Sequence, residues 1–185
     1  MILFCTSPSG VTKINKIRFS DKRKNSTCLN NRPLKSDLQR VLGREVRLAN
    51  DANCFALAEA TMGIVKDVLP NAKVVFGVIL GTGVGGGVVI NGQVINGRHG
   101  IGGEWGHNFF EEDGVMCYCG KTGCNENVFS GPALQQYYKK LSGNDLTMKE
   151  IYELHKAGTD PHATATLNHL IKSFGRAISF IVNVI

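Results

Sequence analysis

Four residues of the kind that bind soft divalent cations fall close together in this chain. His107 is followed, nine residues later, by Cys117, then Cys119 and Cys124. Three thiolates and one imidazole make a closed tetrahedral set, the donor pattern of a structural zinc ion. Gly120 and Gly123 allow the backbone to turn tightly between ligands. A closed shell leaves no open coordination position, so a metal here braces the chain and does no chemistry. The competing reading is a group of buried free thiols beside a core histidine. The other three cysteines, Cys5, Cys28 and Cys54, are scattered and read as ordinary packing.

Three further groups could carry chemistry. Gly81, Thr82 and Gly83 open a glycine-rich run between two apolar stretches, where backbone N–H groups and a hydroxyl could face an anion. No Lys-Ser/Thr pair follows, so it is not a Walker loop, and no helix follows, so it is not a dinucleotide fingerprint. A hairpin that needs glycine explains the run equally well. Asn50 and Asp51 stand where a strand pattern gives way to a helix pattern. They read either as helix caps or as a general base at the end of a strand, where α/β sheets place their ligands. Glu104 lies three residues before His107, and Glu126 two residues after Cys124. A metal at those ligands would fix both carboxylates as acceptors for a polyhydroxyl ligand; the alternative is two surface acids beside a metal knuckle.

The elements that must position these groups can be read from periodicity. Leu34, Leu38 and Leu42 predict a helix ended by Gly43. Glu45 to Ala49 alternates as a short strand, and Ala52 to Met62 reads as a helix closed by Gly63. Lys73 to Leu80 is a buried-strand pattern, followed by a second strand from Val88 to Ile90. Asn91-Gly92 is a strong hairpin signal, with a return strand at Val94-Ile95. Residues 97–124 lack periodicity and form a long loop that needs either a function or an internal brace. Helices are expected at Pro132 to Leu141, at Met148 to Lys156, and from Pro161 behind the Asp160 cap. The apolar face of the last runs Leu167, Leu170, Ile171, Phe174, Ile178, Ile181.

Composition bounds the class. The chain has 185 residues and a formal charge of +6. The excess sits early, in Lys13, Lys16, Arg18, Lys22, Arg23 and Lys24, without interleaved aromatic residues. That pattern reads as a solvated segment, so no nucleic-acid partner is expected. No apolar run is long enough for a membrane helix, and the apolar start, Met1 to Cys5, is too short to read as a signal peptide. A cytoplasmic location is expected, where thiols stay reduced and clustered cysteines read as metal ligands.

Taken together, the run from Leu48 to Cys54, the glycine run from Leu80 to Gly87, the segment Gly103 to Asn108, and the segment Cys117 to Glu126, with Ser130-Gly131 behind them, resemble the ROK family of sugar kinases and sugar-responsive repressors. The resemblance covers about residues 26–185. It looks most like the fructokinase and N-acetylglucosamine kinase branches, the cues being residues 25–30 and 45–51. It implies an α/β, actin-like/ribonuclease-H-like ATPase fold of two lobes, present in part. The expected division is a divergent remnant of the N-terminal lobe over 1–49 and a zinc-containing, sugar-binding lobe over 50–185.

The resemblance further implies an ATP-dependent hexose kinase acting on a primary hydroxyl of a sugar such as fructose, glucose or N-acetylglucosamine. Asp51 matches the catalytic base. Asn50, Asp51, Glu104, His107 and Glu126 match the sugar contacts, and Gly81, Thr82 and Gly83 a phosphate loop. His107, Cys117, Cys119 and Cys124 match the ligands of structural Zn2+, and Mg2+ would accompany ATP. Family members imply a homodimer. Two departures stand out. The Asp-x-Gly-Gly-Thr loop of family kinases does not occur, and a downstream adenosine-binding Gly-Gly segment is also missing, as though the chain were truncated at both ends. A catalytically impaired sugar-binding remnant is therefore the alternative. A repressor is a further one, although residues 1–24 are too short and irregular for a helix-turn-helix.

Overall fold

The computed structural model describes residues 33–185. The basic cluster of Lys13 to Lys24, the cues at residues 25–30, and Cys5 and Cys28 lie outside the described residues. In order, the elements are α1 (Leu34–Leu42), α2 (Asp51–Thr61), α3 (Ile64–Val68), β1 (Val74–Leu80), β2 (Val84–Ile90), β3 (Gln93–Val94), a 3-10 turn (Trp105–His107), α4 (Glu126–Phe129), α5 (Gly131–Ser142), α6 (Met148–Ala157) and α7 (Pro161–Val182). The strands form one sheet in the order β1-β2-β3. The described chain divides into two compact units. One holds residues up to Gly77 together with Gly87–Gly103, and the other holds Val78–Gly86 and Glu104–Ile185.

The first unit is built on small residues. A Cβ on Gly77 would lie 2.7 Å from the Ala56 Cβ, and one on Gly87 would lie 2.7 Å from the Ala52 carbonyl oxygen. Helix α2 therefore rests backbone to backbone on the strands, with Ala52, Asn53 and Ala56 buried beneath it. Asn50 is the cap of α2 and accepts from the Asn53 N–H at 3.1 Å. Asn91 and Gly92 both have positive φ, 50° and 75°, as the two-residue turn between β2 and β3 requires. The register pairs Val89 with Val94 and Ile90 with Gln93.

The second unit has two cores. Trp105, Phe129 and Phe174 form an aromatic cluster with ring centroids 5.8 to 6.2 Å apart. Tyr138, Ile151 and Ala163 form the other, flanked by Leu146, Met148, Leu154 and Leu167. Asp160 caps α7 by accepting from the His162 and Ala163 N–H groups. Its other oxygen takes the Tyr138 hydroxyl at 2.6 Å, which holds this carboxyl below the usual range. Thr147 and Glu150 form a capping box at the start of α6.

Several expectations need correction. No strand forms at Glu45 to Ala49, because a strand exists only with a ladder partner and none is present among the described residues. The second strand begins at Val84 rather than Val88, so most of the glycine run is sheet and only Gly81–Gly83 is loop. The return strand is Gln93–Val94. The buried stripe of α7 is Ala163, Thr166, Ser173 and Ala177, and Ile171 is 65% exposed. Of these, Ala163 packs against Tyr138 of α5 and Ile151 of α6. Helices α3 and α4 are too short to show a period. Among the described residues no helix is long and apolar enough to cross a membrane.

Gly87→Ala should destabilise the first unit by about 1–3 kcal/mol, the usual cost of overpacking a filled contact. Thermal unfolding of the variant beside the parent chain measures it.

Candidate active site and metal centre

The metal cluster is assembled by a segment with almost no regular structure. Two antiparallel bridges, Phe109 with Cys124 and Met116 with Thr122, fold it back on itself. The Cys117 N–H donates to the Lys121 carbonyl at 2.7 Å, and Gly120, at φ 90°, donates to the Cys117 carbonyl at 3.0 Å. Gly123 has φ 64°, and a Cβ there would collide with the Glu111 carbonyl. These turns bring one donor atom each from His107, Cys117, Cys119 and Cys124 within 4.8 Å of one another.

The spacing suits a tetrahedral cation. Zn–S and Zn–N bonds of ordinary length put two sulfurs about 3.8 Å apart and a nitrogen and sulfur about 3.6 Å apart. Cys119 Sγ and Cys124 Sγ are 3.6 Å apart, and Cys117 Sγ lies 3.5 Å from His107 Nδ1. A disulfide needs about 2.05 Å, and all three cysteines are free. His107 Nε2 meets the Tyr118 hydroxyl at 3.1 Å, which orients the ring and leaves Nδ1 toward the sulfurs.

The thiols are electrostatically unequal. Burial pushes Cys124 up to about 12, helped by hydrogen bonds and charge from Cys119 and Cys117. Burial would also raise Cys119, but hydrogen bonds from the Lys121 backbone and from Cys117 and Cys124 hold it below the ordinary thiol range. Tyr118 is pushed up to about 12, first by burial and then by the negative charge of Glu126, Cys117, Glu104 and Cys119.

Glu126 opens α4 two residues after Cys124 and is buried. Its Oε2 accepts from the Val84 N–H at 3.1 Å. A Cβ on Gly83 would sit 2.6 Å from the same oxygen. Gly81 lies at the other end of this loop, and its carbonyl accepts from the Gly131 N–H at 2.8 Å. The Trp105 indole N–H donates to the Gly85 carbonyl at 2.9 Å, and a Cβ on Gly106 would collide with the Val84 carbonyl. Asn125 fastens the two motifs together: its side chain donates to the Trp105 carbonyl at 2.9 Å, and its N–H to the Asn108 carbonyl at 3.0 Å. A cavity of about 360 Å³ beside the loop is lined by Gly81, Thr82, Phe129, Pro132, Gln135 and Met148, among others.

The four metal-cluster residues, Glu104, Glu126 and the Gly81–Gly83 loop thus all fall in the second unit. Asn50 and Asp51 fall in the first, at the start of α2. Asp51 is exposed, and its Oδ1 accepts from the Ala52 N–H at 2.9 Å. Its charge adds to burial in raising the Cys54 thiol, one turn along the helix. Sequence reasoning missed the roles of Val84, Tyr118 and Asn125. Asn125 had a signal, since it sits between a cluster cysteine and a singled-out carboxylate. The Val84 peptide had none, because a backbone contact leaves no mark on residue type.

Residues 7–185 match the ROK family. The chain is 40% identical over 139 residues to the N-acetyl-D-glucosamine kinase of Pectobacterium carotovorum, covering 70% of this chain and 44% of that protein. The ROK hexokinase of Thermus thermophilus superposes with a TM-score of 0.73 at 33% identity, covering 82% of this chain and 51% of that one. The ROK family glucokinase of Streptomyces griseus, solved with glucose and AMPPNP, gives 0.72 at 30% identity, covering 82% and 53%. The chain spans about half the length of the relatives it matches.

A cluster of this geometry should take up one equivalent of Co2+ and show the visible absorption of a tetrahedral thiolate site. Each thiol must lose its proton to ligate, so affinity should fall as pH is lowered. Tyr118→Phe, which removes the partner of His107 Nε2, should weaken uptake by about 10–100-fold. Cys124→Ser, which removes a ligand, should weaken it further. Competition against a chelator reads all three.

Proposed function

The chain belongs to the ROK family, its fold is the actin-like/ribonuclease-H-like α/β ATPase fold in part, and we propose that it serves an ATP-dependent hexose kinase. The reaction is direct transfer of the γ-phosphoryl group to a primary hydroxyl of a hexose, with N-acetylglucosamine, glucose and fructose as the first sugars to test. The observation that carries this reading is the second unit's construction. A glycine loop, a buried carboxylate and a three-cysteine, one-histidine knuckle form one hydrogen-bonded assembly there.

Asp51 accepts the proton of the attacking hydroxyl. A carboxylate is a weak base for an alcohol, but the transition state is loose and the proton leaves late. Orientation therefore matters more than basicity, and the Ala52 N–H holds the carboxylate at the start of α2. Asn50, Glu104 and Glu126 bind the sugar hydroxyls, and His107 does so where a sugar hydroxyl takes the place of Tyr118 at Nε2. Gly81, Thr82 and Gly83 hold phosphate through backbone N–H groups and the Thr82 hydroxyl. Mg2+ bound with ATP would neutralise phosphate charge. Zn2+ at the knuckle would be structural: all four ligands are protein side chains, so its part is to fix Glu126 two residues from Cys124.

Asp51→Asn should lower turnover by about 10²–10⁴-fold, the range for loss of a general base, with a much smaller loss of sugar affinity. Steady-state phosphorylation of the sugar panel tests turnover, and isothermal titration tests affinity. Unchanged turnover would remove Asp51 from the mechanism. Sugar binding without AMPPNP binding would favour a sugar-binding protein over a kinase.

A further inference from the structure

The start of β2 is gripped on both sides of one residue, Val84. The Val84 N–H donates to Glu126 Oε2 at 3.1 Å, and the Val84 carbonyl lies so close to Gly106 that no side chain fits between them. Glu126 is 6% exposed, and the oxygen that takes this hydrogen bond occupies the space a Cβ on Gly83 would need. Glycine at 83 is thus required by the carboxylate, independently of any phosphate. The same short segment clasps the loop a second time, through the Gly131 N–H on the Gly81 carbonyl. One carboxylate expected only at the sugar wall is therefore a structural part of the loop expected to hold phosphate.

We propose that Glu126 is a positioning residue for the Gly81–Gly83 loop, so that sugar wall and loop order together. Glu126 links them because its carboxylate belongs to both. What the loop holds rests on the kinase reading; the coupling rests on the hydrogen bond and the Gly83 contact. A perturbation on one side should then be felt on the other without its own ligand present. A loop substitution should weaken sugar binding in the absence of nucleotide.

The primary readout is amide hydrogen exchange at Val84 in the metal-loaded chain, which needs no ligand. Losing a hydrogen bond to a charged acceptor should speed that exchange by about 10–100-fold in Glu126→Ala. Glu126→Gln keeps a neutral carbonyl oxygen that can accept from Val84, and its exchange should fall between that of the parent and that of Glu126→Ala. Gly83→Ala displaces the carboxylate and should match Glu126→Ala. Protection at Tyr138 and Ile151 reports that α5–α7 remain folded; if Glu126→Ala unfolds them, the Gln and Gly83 variants decide. Calorimetry with N-acetylglucosamine alone should show weaker binding for Gly83→Ala. Unchanged Val84 exchange in Glu126→Ala, or in Gly83→Ala, overturns the coupling. A parent chain that binds neither N-acetylglucosamine nor AMPPNP, but whose variants show the stated exchange, supports the coupling and overturns the kinase reading alone.

Discussion

The convergence of His107, Cys117, Cys119 and Cys124 within 4.8 Å is the constraint on which the second unit depends. The segment from Glu104 to Asn125 contains only a 3-10 turn and isolated bridges. An irregular stretch of that length must find partners for its backbone polar groups without a ladder. It does so by folding on itself around the cluster, with Phe110 and Asn125 donating to the Gly123 and Asn108 carbonyls. Cys124 is fully buried, and the next two residues carry the side chains that reach Trp105 and Val84. Closure of the knuckle thus sets where the aromatic core and the glycine loop meet.

That dependence explains which parts of the molecule were legible in sequence. The helix from Leu34 to Leu42, the Asn91-Gly92 turn and the Asp160-Pro161 helix start are decided by neighbours a few residues away, and they were read nearly as they stand. The metal-cluster residues were legible for a similar reason, since donor type and short spacing are local. The segment from Glu45 to Ala49 was misread because strand formation needs a partner that local alternation does not supply. The glycine run was read as loop because glycine disfavours strands. Here Gly87 is required by helix α2 lying on the strand. Only the tertiary contact distinguishes a glycine that bends the chain from one that admits a neighbour.

Helix α7 shows the same limit from the other direction. Hydropathy selects Ile171 as core, yet the buried positions are Ala163, Thr166, Ser173 and Ala177. Close helix approach rewards small volume over apolar area, provided that polar groups are satisfied locally. Thr166 meets that condition by donating to the His162 carbonyl at 2.8 Å. A hydrophobicity pattern therefore locates the helix but not which stripe of it is packed.

Capping and general base were posed as alternatives for Asn50 and Asp51, and the geometry shows the capping one in Asn50. Asn50 takes the cap, accepting from the Asn53 N–H. That places Asp51 at the first helical position, where the N–H groups of the first turn favour negative charge. Its carboxylate is exposed and aimed by the Ala52 N–H, not consumed in closing the helix. Beneath it, the small residues Ala52 and Ala56 let α2 settle onto Gly87 and Gly77, so the helix start is fixed by close backbone packing. Capping is then the means by which the carboxylate is presented. On the kinase reading proposed above, the same pair would supply the rigid mounting that position-dominated phosphoryl transfer requires.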